Sequence, residues 1–122
     1  MNSAKKYETI LFKKTESLVN LAFNRPEKMN AANLKVFDEF TDVLHQITDD
    51  EQVKSVVITG VGRGFCSGLD LTEDSILNNP VLIKTGLEKI SEIIIRFKES
   101  PKLFIAAVNG PASGFGFGLV LA

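Results

Sequence analysis

Two neighbouring segments near the start of the chain have the apolar pattern of strands. Residues 7–12 form one candidate strand, and residues 17–23 form its partner, in which apolar positions alternate with other positions as in a strand with one buried face. The polar residues 13–16 separate them, so we expect an antiparallel hairpin with its turn there. Pro26 ends the second strand, because proline lacks the N–H group that a sheet ladder needs.

Two later segments repeat their apolar residues every three or four positions, which is the period of an amphipathic helix. The first predicted helix starts after Asn30 or Asn33, either of which can cap it, and runs to about Thr48. The second begins at Pro80 and ends before Pro101. The predicted buried stripes are Phe37, Phe40, Leu44 and Ile47 in the first helix, and Ile83, Leu87, Ile90, Ile94 and Phe97 in the second.

Two short segments are rich in consecutive apolar and β-branched residues. Residues 55–59 and 103–108 therefore predict strands that are buried on both faces. A cluster of glycines follows each of them directly. The resulting order of elements, β-β-α-β-loop-α-β-loop, predicts an α/β fold.

The composition excludes several classes of function. Lys and Arg number 14 against 15 Asp and Glu, which disfavours nucleic-acid binding through bulk positive charge. The single cysteine, Cys66, excludes an internal disulfide and a multi-cysteine zinc site, and the single histidine, His45, leaves Ser-His-Asp triads nearly unavailable. We expect His45 on a helix surface and Cys66 in a packing role. With no secretory signal and no long apolar run, we expect a soluble intracellular protein without a membrane span, in an unassigned compartment.

Glycine has an unusual distribution in this sequence. Of the 9 glycines, all but Gly86 lie between Gly60 and Gly68 or between Gly110 and Gly118, at the carboxyl ends of the two predicted buried strands. Ligands bind at that edge of α/β sheets. If the two loops converge, each can direct a backbone N–H at one point, and two such donors form an oxyanion hole. The alternative is that these glycines only make tight turns and close packing between elements.

Three motifs in this chain resemble the crotonase (enoyl-CoA hydratase/isomerase) superfamily. They are Asn-Arg-Pro-Glu-Lys-Met-Asn-Ala at residues 24–31, residues 57–71 with their Phe-Cys-Ser-Gly-Leu-Asp-Leu, and residues 104–118. Their order and distances resemble those of the family, and the second loop looks most like the 3,2-enoyl-CoA isomerase branch. The resemblance implies a ClpP/crotonase-like spiral of ββα units, of which residues 1–122 would form a truncated, N-terminal part.

The resemblance also implies a substrate and a reaction. The substrate would be an acyl-CoA thioester, and its enolate would be stabilised by the backbone N–H groups of Leu69 and Phe115. The reaction would shift the double bond of 3-enoyl-CoA to give 2-trans-enoyl-CoA in fatty-acid β-oxidation. No cofactor is implied beyond the coenzyme A of the substrate. The substrate-binding positions implied by the resemblance are Arg25, Lys28, Met29, Ala31, Ser67, Gly68, Asp70, Leu71 and Gly114.

Some of these positions have more specific implied roles. Lys28 or Arg25 could meet a phosphate of coenzyme A, and a solvated turn is the alternative for both. Asp70 and Leu71 match the stretch that lines the path of the adenine and pantetheine. For Asp70, the alternative is that its carboxylate accepts a local hydrogen bond in a cap or turn.

The second glycine loop departs from the hydratases of the resembled family at one position. Gly118 stands where they carry a glutamate, and residues 100–122 contain no Asp or Glu. Hydration uses paired carboxylates around one water, so the sequence disfavours hydratase activity. The single glutamate of the isomerases would lie beyond residue 122, as would the region that forms the family's trimers or hexamers.

Two alternatives to the isomerase hypothesis stay open. One is a truncated, non-catalytic crotonase-like protein that binds acyl-CoA or a partner subunit. The other is a different crotonase chemistry, such as hydration, thioester hydrolysis or decarboxylation, which would share the oxyanion hole and change the base.

Overall fold

One mixed sheet with helices forms the part of the chain that the computed structural model describes, residues 7–70 and 79–121. Its four strands are β1 (Ile10–Thr15), β2 (Leu18–Phe23), β3 (Ser55–Gly60) and β4 (Leu103–Ala106), in that order across the sheet. β1 and β2 are antiparallel, whereas β2–β3 and β3–β4 are parallel pairs. The helices are α1 (Leu34–Asp49), α2 (Pro80–Glu99) and α3 (Phe115–Leu121), with a 3-10 turn at Pro26–Lys28. The predicted α/β order is confirmed.

The hairpin is displaced by a few residues from its predicted position. β1 starts at Ile10 rather than Tyr7 and continues to Thr15, so the turn contains only Glu16 and Ser17. Glu16 adopts φ 55°, a conformation that suits a two-residue hairpin turn. The segment before β1 binds α1 instead of extending the strand, since the Tyr7 hydroxyl donates to Asp42 Oδ2 at 2.5 Å.

Both long helices begin at asparagine caps. The Asn33 side chain accepts a hydrogen bond from Val36 N–H at 3.0 Å, so Asn33 rather than Asn30 caps α1. α2 begins at Pro80, as predicted, and the Asn79 side chain caps it just before that residue. Over the described residues, no helix combines the length and the hydropathy that a membrane span requires.

The core lies between α1, α2 and one face of the sheet. Phe40 is fully buried at its centre, where its ring stacks on Phe23 and Phe97 at centroid distances of 5.5 and 5.8 Å. The predicted stripe of α1 is confirmed, and all four of its residues are buried. The stripe of α2 is rotated from its predicted position, because Ile93 is fully buried while Leu87 is 55% exposed.

The prediction that β3 and β4 are buried on both faces is wrong for the described residues. In β3, Val56 and Ile58 are buried while Val57 on the other face is only half-buried. In β4, Leu103 and Ile105 are 62% and 46% exposed. The described helices α1 and α2 share a single core with the face that carries Val56 and Ile58, so the opposite face is left open.

Candidate functional site

The two glycine clusters form loops that meet at one edge of the sheet. The first glycine loop (residues 60–68) follows β3 and the second glycine loop (residues 110–118) follows β4, its parallel neighbour. Cys66 N–H donates to Pro111 O at 3.3 Å, and Ser113 N–H donates to Cys66 O at 3.1 Å. These bonds form a parallel bridge between the loops, so the condition that an oxyanion hole between them requires, convergence of the two loops, is met.

Glycine is required where the two backbones touch. A Cβ atom at Gly110 would lie 1.8 Å from Arg63 O, and one at Gly116 would lie 2.2 Å from Cys66 O. Both distances are far inside van der Waals contact, and the atoms that would be met belong to backbone. Any larger residue at Gly110 or Gly116 would therefore push the loops apart.

Two asparagine amides hold the first glycine loop in shape. Asn30 is almost fully buried, and its Nδ2 donates to Gly64 O at 2.8 Å. Asn109 Nδ2 donates to Gly60 O at 2.9 Å and to Gly62 O at 3.0 Å, while its Oδ1 accepts from Gly60 N–H at 3.1 Å. Sequence reasoning gave neither asparagine this role. The signal was present, because a tight loop presents many carbonyls and an adjacent asparagine amide can supply the donors they need.

Beyond the first glycine loop, Leu69 forms a second parallel bridge, with Ala32. Ala32 N–H donates to Gly68 O at 2.7 Å, and Asp70 N–H donates to Ala32 O at 2.9 Å. In this pattern the N–H of Leu69 faces away from Ala32. It donates no hydrogen bond within residues 7–70 and 79–121.

Phe115, the first residue of α3, carries a second such donor. Gly116 N–H turns back to Ser113 O at 3.0 Å, but the N–H of Phe115 has no acceptor in the described part of the chain. Gly68 and Gly114, which precede the two donors, are in contact and adopt φ +103° and +54°. A Cβ atom at Gly68 would lie 3.7 Å from the Cα atom of Gly114. Two unused backbone donors thus flank the junction of the loops.

The Asn-Arg-Pro motif packs against the same loops. The Arg25 guanidinium pairs with Asp70, Nη2 to Oδ2 at 3.0 Å, and the two side chains are 14% and 2% exposed. Arg25 Nη1 donates to Ala31 O at 2.5 Å. Met29 O accepts from Ser67 N–H at 3.2 Å.

The remaining predicted positions are also accounted for. Lys28 is exposed, and its carbonyl accepts from the Ser67 hydroxyl at 3.5 Å. Leu71 lies outside the described residues. The structure therefore brings together every predicted site residue that it describes.

Cys66 and His45 have the roles that the sequence predicted. Burial raises the pKa of the Cys66 thiol, and a hydrogen bond from Gly68 N–H to the sulfur offsets only part of this. His45 is exposed on α1. Among residues 7–70 and 79–121, no group of three His, Cys, Asp or Glu side chains could hold a metal ion.

Known proteins match this chain over nearly its whole length. The sequence profile described as enoyl-CoA hydratase/isomerase matches residues 13–122. A probable enoyl-CoA hydratase from Mycobacterium leprae is 39% identical over 108 residues, which are 84% of this chain and 37% of that protein. The 1,2-epoxyphenylacetyl-CoA isomerase of Escherichia coli is 32% identical over 117 residues, 93% of this chain and 45% of that one.

A solved structure agrees with these sequence matches. The enoyl-CoA hydratase from Bacillus anthracis superposes with a TM-score of 0.87 at 29% sequence identity, covering 93% of this chain and 45% of that one. The chain therefore spans less than half the length of the proteins it matches.

The contact between Gly116 and Cys66 predicts opposite effects for two substitutions in α3. Gly116→Ala should lower the free energy of unfolding by about 1–3 kcal/mol, since its Cβ meets the Cys66 carbonyl. Gly118→Ala is the matched control, because its Cβ would meet only Ile94 at 3.9 Å and alanine favours a helix by about 1 kcal/mol. Urea unfolding measures both, and equal effects would contradict the assigned contact.

Burial of Cys66 predicts that its thiol reacts slowly with alkylating agents. Its reaction with iodoacetamide at pH 8 should be much slower in the folded chain than in urea. The reactive species is the thiolate, and a raised pKa lowers the thiolate fraction at that pH. The pH midpoint of the reaction should also be higher for the folded chain. Rapid labelling without denaturant would contradict the packing role.

Proposed function

Because the chain belongs to the enoyl-CoA hydratase/isomerase family, as its motifs predicted, and has the crotonase-like fold, we propose that its two glycine loops form an oxyanion hole for an acyl-CoA thioester. The two donors are the N–H groups of Leu69 and Phe115. The observation that carries this proposal is that both amides are left without an acceptor beside the contact between Gly68 and Gly114.

The chemistry of such a site follows from where negative charge develops. Removal of a proton from the carbon next to a thioester carbonyl gives an enolate, whose charge lies largely on the carbonyl oxygen. Backbone donors that are fixed before the substrate binds stabilise this oxygen, and each is typically worth about 3 kcal/mol. The loops would thus lower the barrier without contributing any side chain to the reaction.

The base is not one of the titratable groups at the loop junction. Asp70 is buried in its pair with Arg25, and the buried thiol of Cys66 has a raised pKa. A carboxylate outside residues 7–70 and 79–121 would take the proton. This division of roles resembles the family pattern, in which the glutamate lies further along the domain.

Within the family we favour the isomerase reaction, from 3-enoyl-CoA to 2-trans-enoyl-CoA in fatty-acid oxidation. One carboxylate suffices to move a proton between two carbons, whereas hydration uses a pair. The support is Gly118, which stands where the resembled hydratases carry one of that pair, and the lack of any Asp or Glu in residues 100–122. Hydration is the second candidate, favoured by the names of the Mycobacterium leprae and Bacillus anthracis proteins.

A turnover assay with a binding measurement separates these candidates. The 122-residue chain is incubated with 3-enoyl-CoA or with 2-trans-enoyl-CoA, and calorimetry measures the affinity for a saturated acyl-CoA. We expect binding of acyl-CoA, with formation of 2-trans-enoyl-CoA from the 3-enoyl ester only if a carboxylate outside residues 7–70 and 79–121 supplies the base. Formation of 3-hydroxyacyl-CoA would instead favour hydration. Binding without turnover would support the non-catalytic alternative, and no binding would contradict the oxyanion site.

Phe115 offers a direct test of one donor. Proline is tolerated at the first position of a helix, so Phe115→Pro removes the N–H with little change to the start of α3. Phe115→Ala is the matched control, since it loses the same ring and keeps the N–H. We expect turnover by the proline variant to be about 10²–10³ lower than by the alanine variant. If the chain binds without turnover, the same order should appear in its affinity for acyl-CoA. Equal values for the two variants would exclude Phe115 as a donor.

A further inference from the structure

We infer that the ion pair between Arg25 and Asp70 positions the Leu69 N–H, which makes Arg25 a positioning residue rather than a ligand for a phosphate of the substrate. The inference rests on the proposed function of the two loops. The ion pair takes no direct part in the chemistry of the oxyanion hole, and the inference gives it a positioning role.

The Arg25 side chain joins two segments of backbone. Its Nη2 lies 3.0 Å from Asp70 Oδ2, in the segment that follows the first glycine loop. Its Nη1 donates to Ala31 O at 2.5 Å, in the segment that leads to α1. Because the guanidinium is planar, these two contacts fix the distance and the orientation between the segments together.

Leu69 lies between two backbone hydrogen bonds that join the segment before α1 to the segment that follows the first glycine loop. Ala32 N–H donates to Gly68 O at 2.7 Å, and Asp70 N–H donates to Ala32 O at 2.9 Å. The guanidinium contacts Ala31 and Asp70, so it acts within one residue of this bridge on each segment. Loss of its contacts would let the bridge shift or twist, and the direction of the Leu69 N–H would change with it.

Because the pair is buried, its two side chains depend on hydrogen bonds inside the protein. The Asp70 side chain is only 2% exposed, so its carboxylate depends on hydrogen-bond donors inside the protein. Arg25 is itself fixed, because its N–H donates to Asn30 Oδ1 at 2.7 Å and its carbonyl accepts from Asn30 N–H at 2.9 Å. Asn30 in turn donates to Gly64 O at 2.8 Å. One connected network therefore runs from Arg25 to the middle of the first glycine loop at Gly64 and to Asp70, two residues beyond the loop.

This network argues against a phosphate role for Arg25. A phosphate group would have to compete with the buried Asp70 carboxylate for the guanidinium, and its binding would withdraw a donor from Asp70. A phosphate contact and a positioning contact also predict different responses to the substrate. The first acts only on esters that carry phosphate, whereas the second acts on the thioester carbonyl of any ester.

The test measures polarisation of the carbonyl directly. The ¹³C resonance of a thioester labelled at its carbonyl carbon is recorded free and bound to the 122-residue chain. Two saturated esters are used, octanoyl-CoA and the phosphate-free octanoyl pantetheine. For the wild-type chain we expect a downfield shift on binding of either ester. Arg25→Lys should lose at least half of this shift with both, because one ammonium group cannot keep both guanidinium contacts.

Two further variants complete the design. Asp70→Asn keeps the size of the side chain, removes its charge and should reduce the shift in the same direction. Arg96→Lys is the control, because Arg96 pairs with Glu92 at 3.0 Å on an exposed part of α2. It should leave the shift unchanged. The ¹H–¹⁵N spectrum of each variant reports whether the fold persists.

Each result decides between the roles. A full wild-type shift in both Arg25→Lys and Asp70→Asn would overturn the positioning role, as would weaker binding of octanoyl-CoA alone, which indicates a phosphate ligand. Loss of amide dispersion in both variants would indicate a general structural role and would also overturn it. Binding by the wild-type chain without any carbonyl shift would overturn the proposed oxyanion hole itself, and the positioning role with it.

Discussion

At the carboxyl ends of β3 and β4, the backbone of one glycine loop lies directly against the backbone of the other. The contact leaves no room for a side chain at Gly116, whose Cβ would meet Cys66 O at 2.2 Å. It also fixes where α3 begins. The Phe115 ring is thereby inserted into the core, 5.2 Å from Phe37, while the Phe115 N–H stays at the junction of the loops. A single backbone contact thus connects the core to the candidate site.

Hydrogen bonding then determines which backbone groups stay available at that junction. The amides of Asn30 and Asn109 satisfy the carbonyls of the first loop, and the bridge to Ala32 engages the peptide groups around Leu69. An unsatisfied buried polar group costs about 1–3 kcal/mol, so these pairings are strongly favoured. The N–H groups of Leu69 and Phe115 are left over, on the side where the loops meet. Their availability is therefore a result of how completely the surrounding groups are paired.

The sequence predicted the local features of this fold better than its long-range ones. The buried stripe of α1 is correct because every residue in it faces the same core. The stripe of α2 is rotated, since Gly86 is buried near Leu34 and brings a different side of the helix against α1. The apolar character of Leu103 and Ile105 indicates that they favour burial, but it cannot tell which element covers them. In the described chain, α1 and α2 lie over the other face of the sheet.

For the site, too, the sequence predicted local features but not long-range contacts. Motifs located the residues, but the partner of Arg25 lies 45 positions away, and backbone contacts such as the parallel bridge at Ala32 bring the two together. The reliance on backbone groups also affects which parts of the protein carry out the reaction. A site made of backbone donors constrains the shape of the loops and leaves the reaction to carboxylates placed elsewhere. Proteins named as hydratases and as isomerases both match this chain because the part they share with it supplies, on our proposal, the step common to both: stabilising charge on a thioester oxygen.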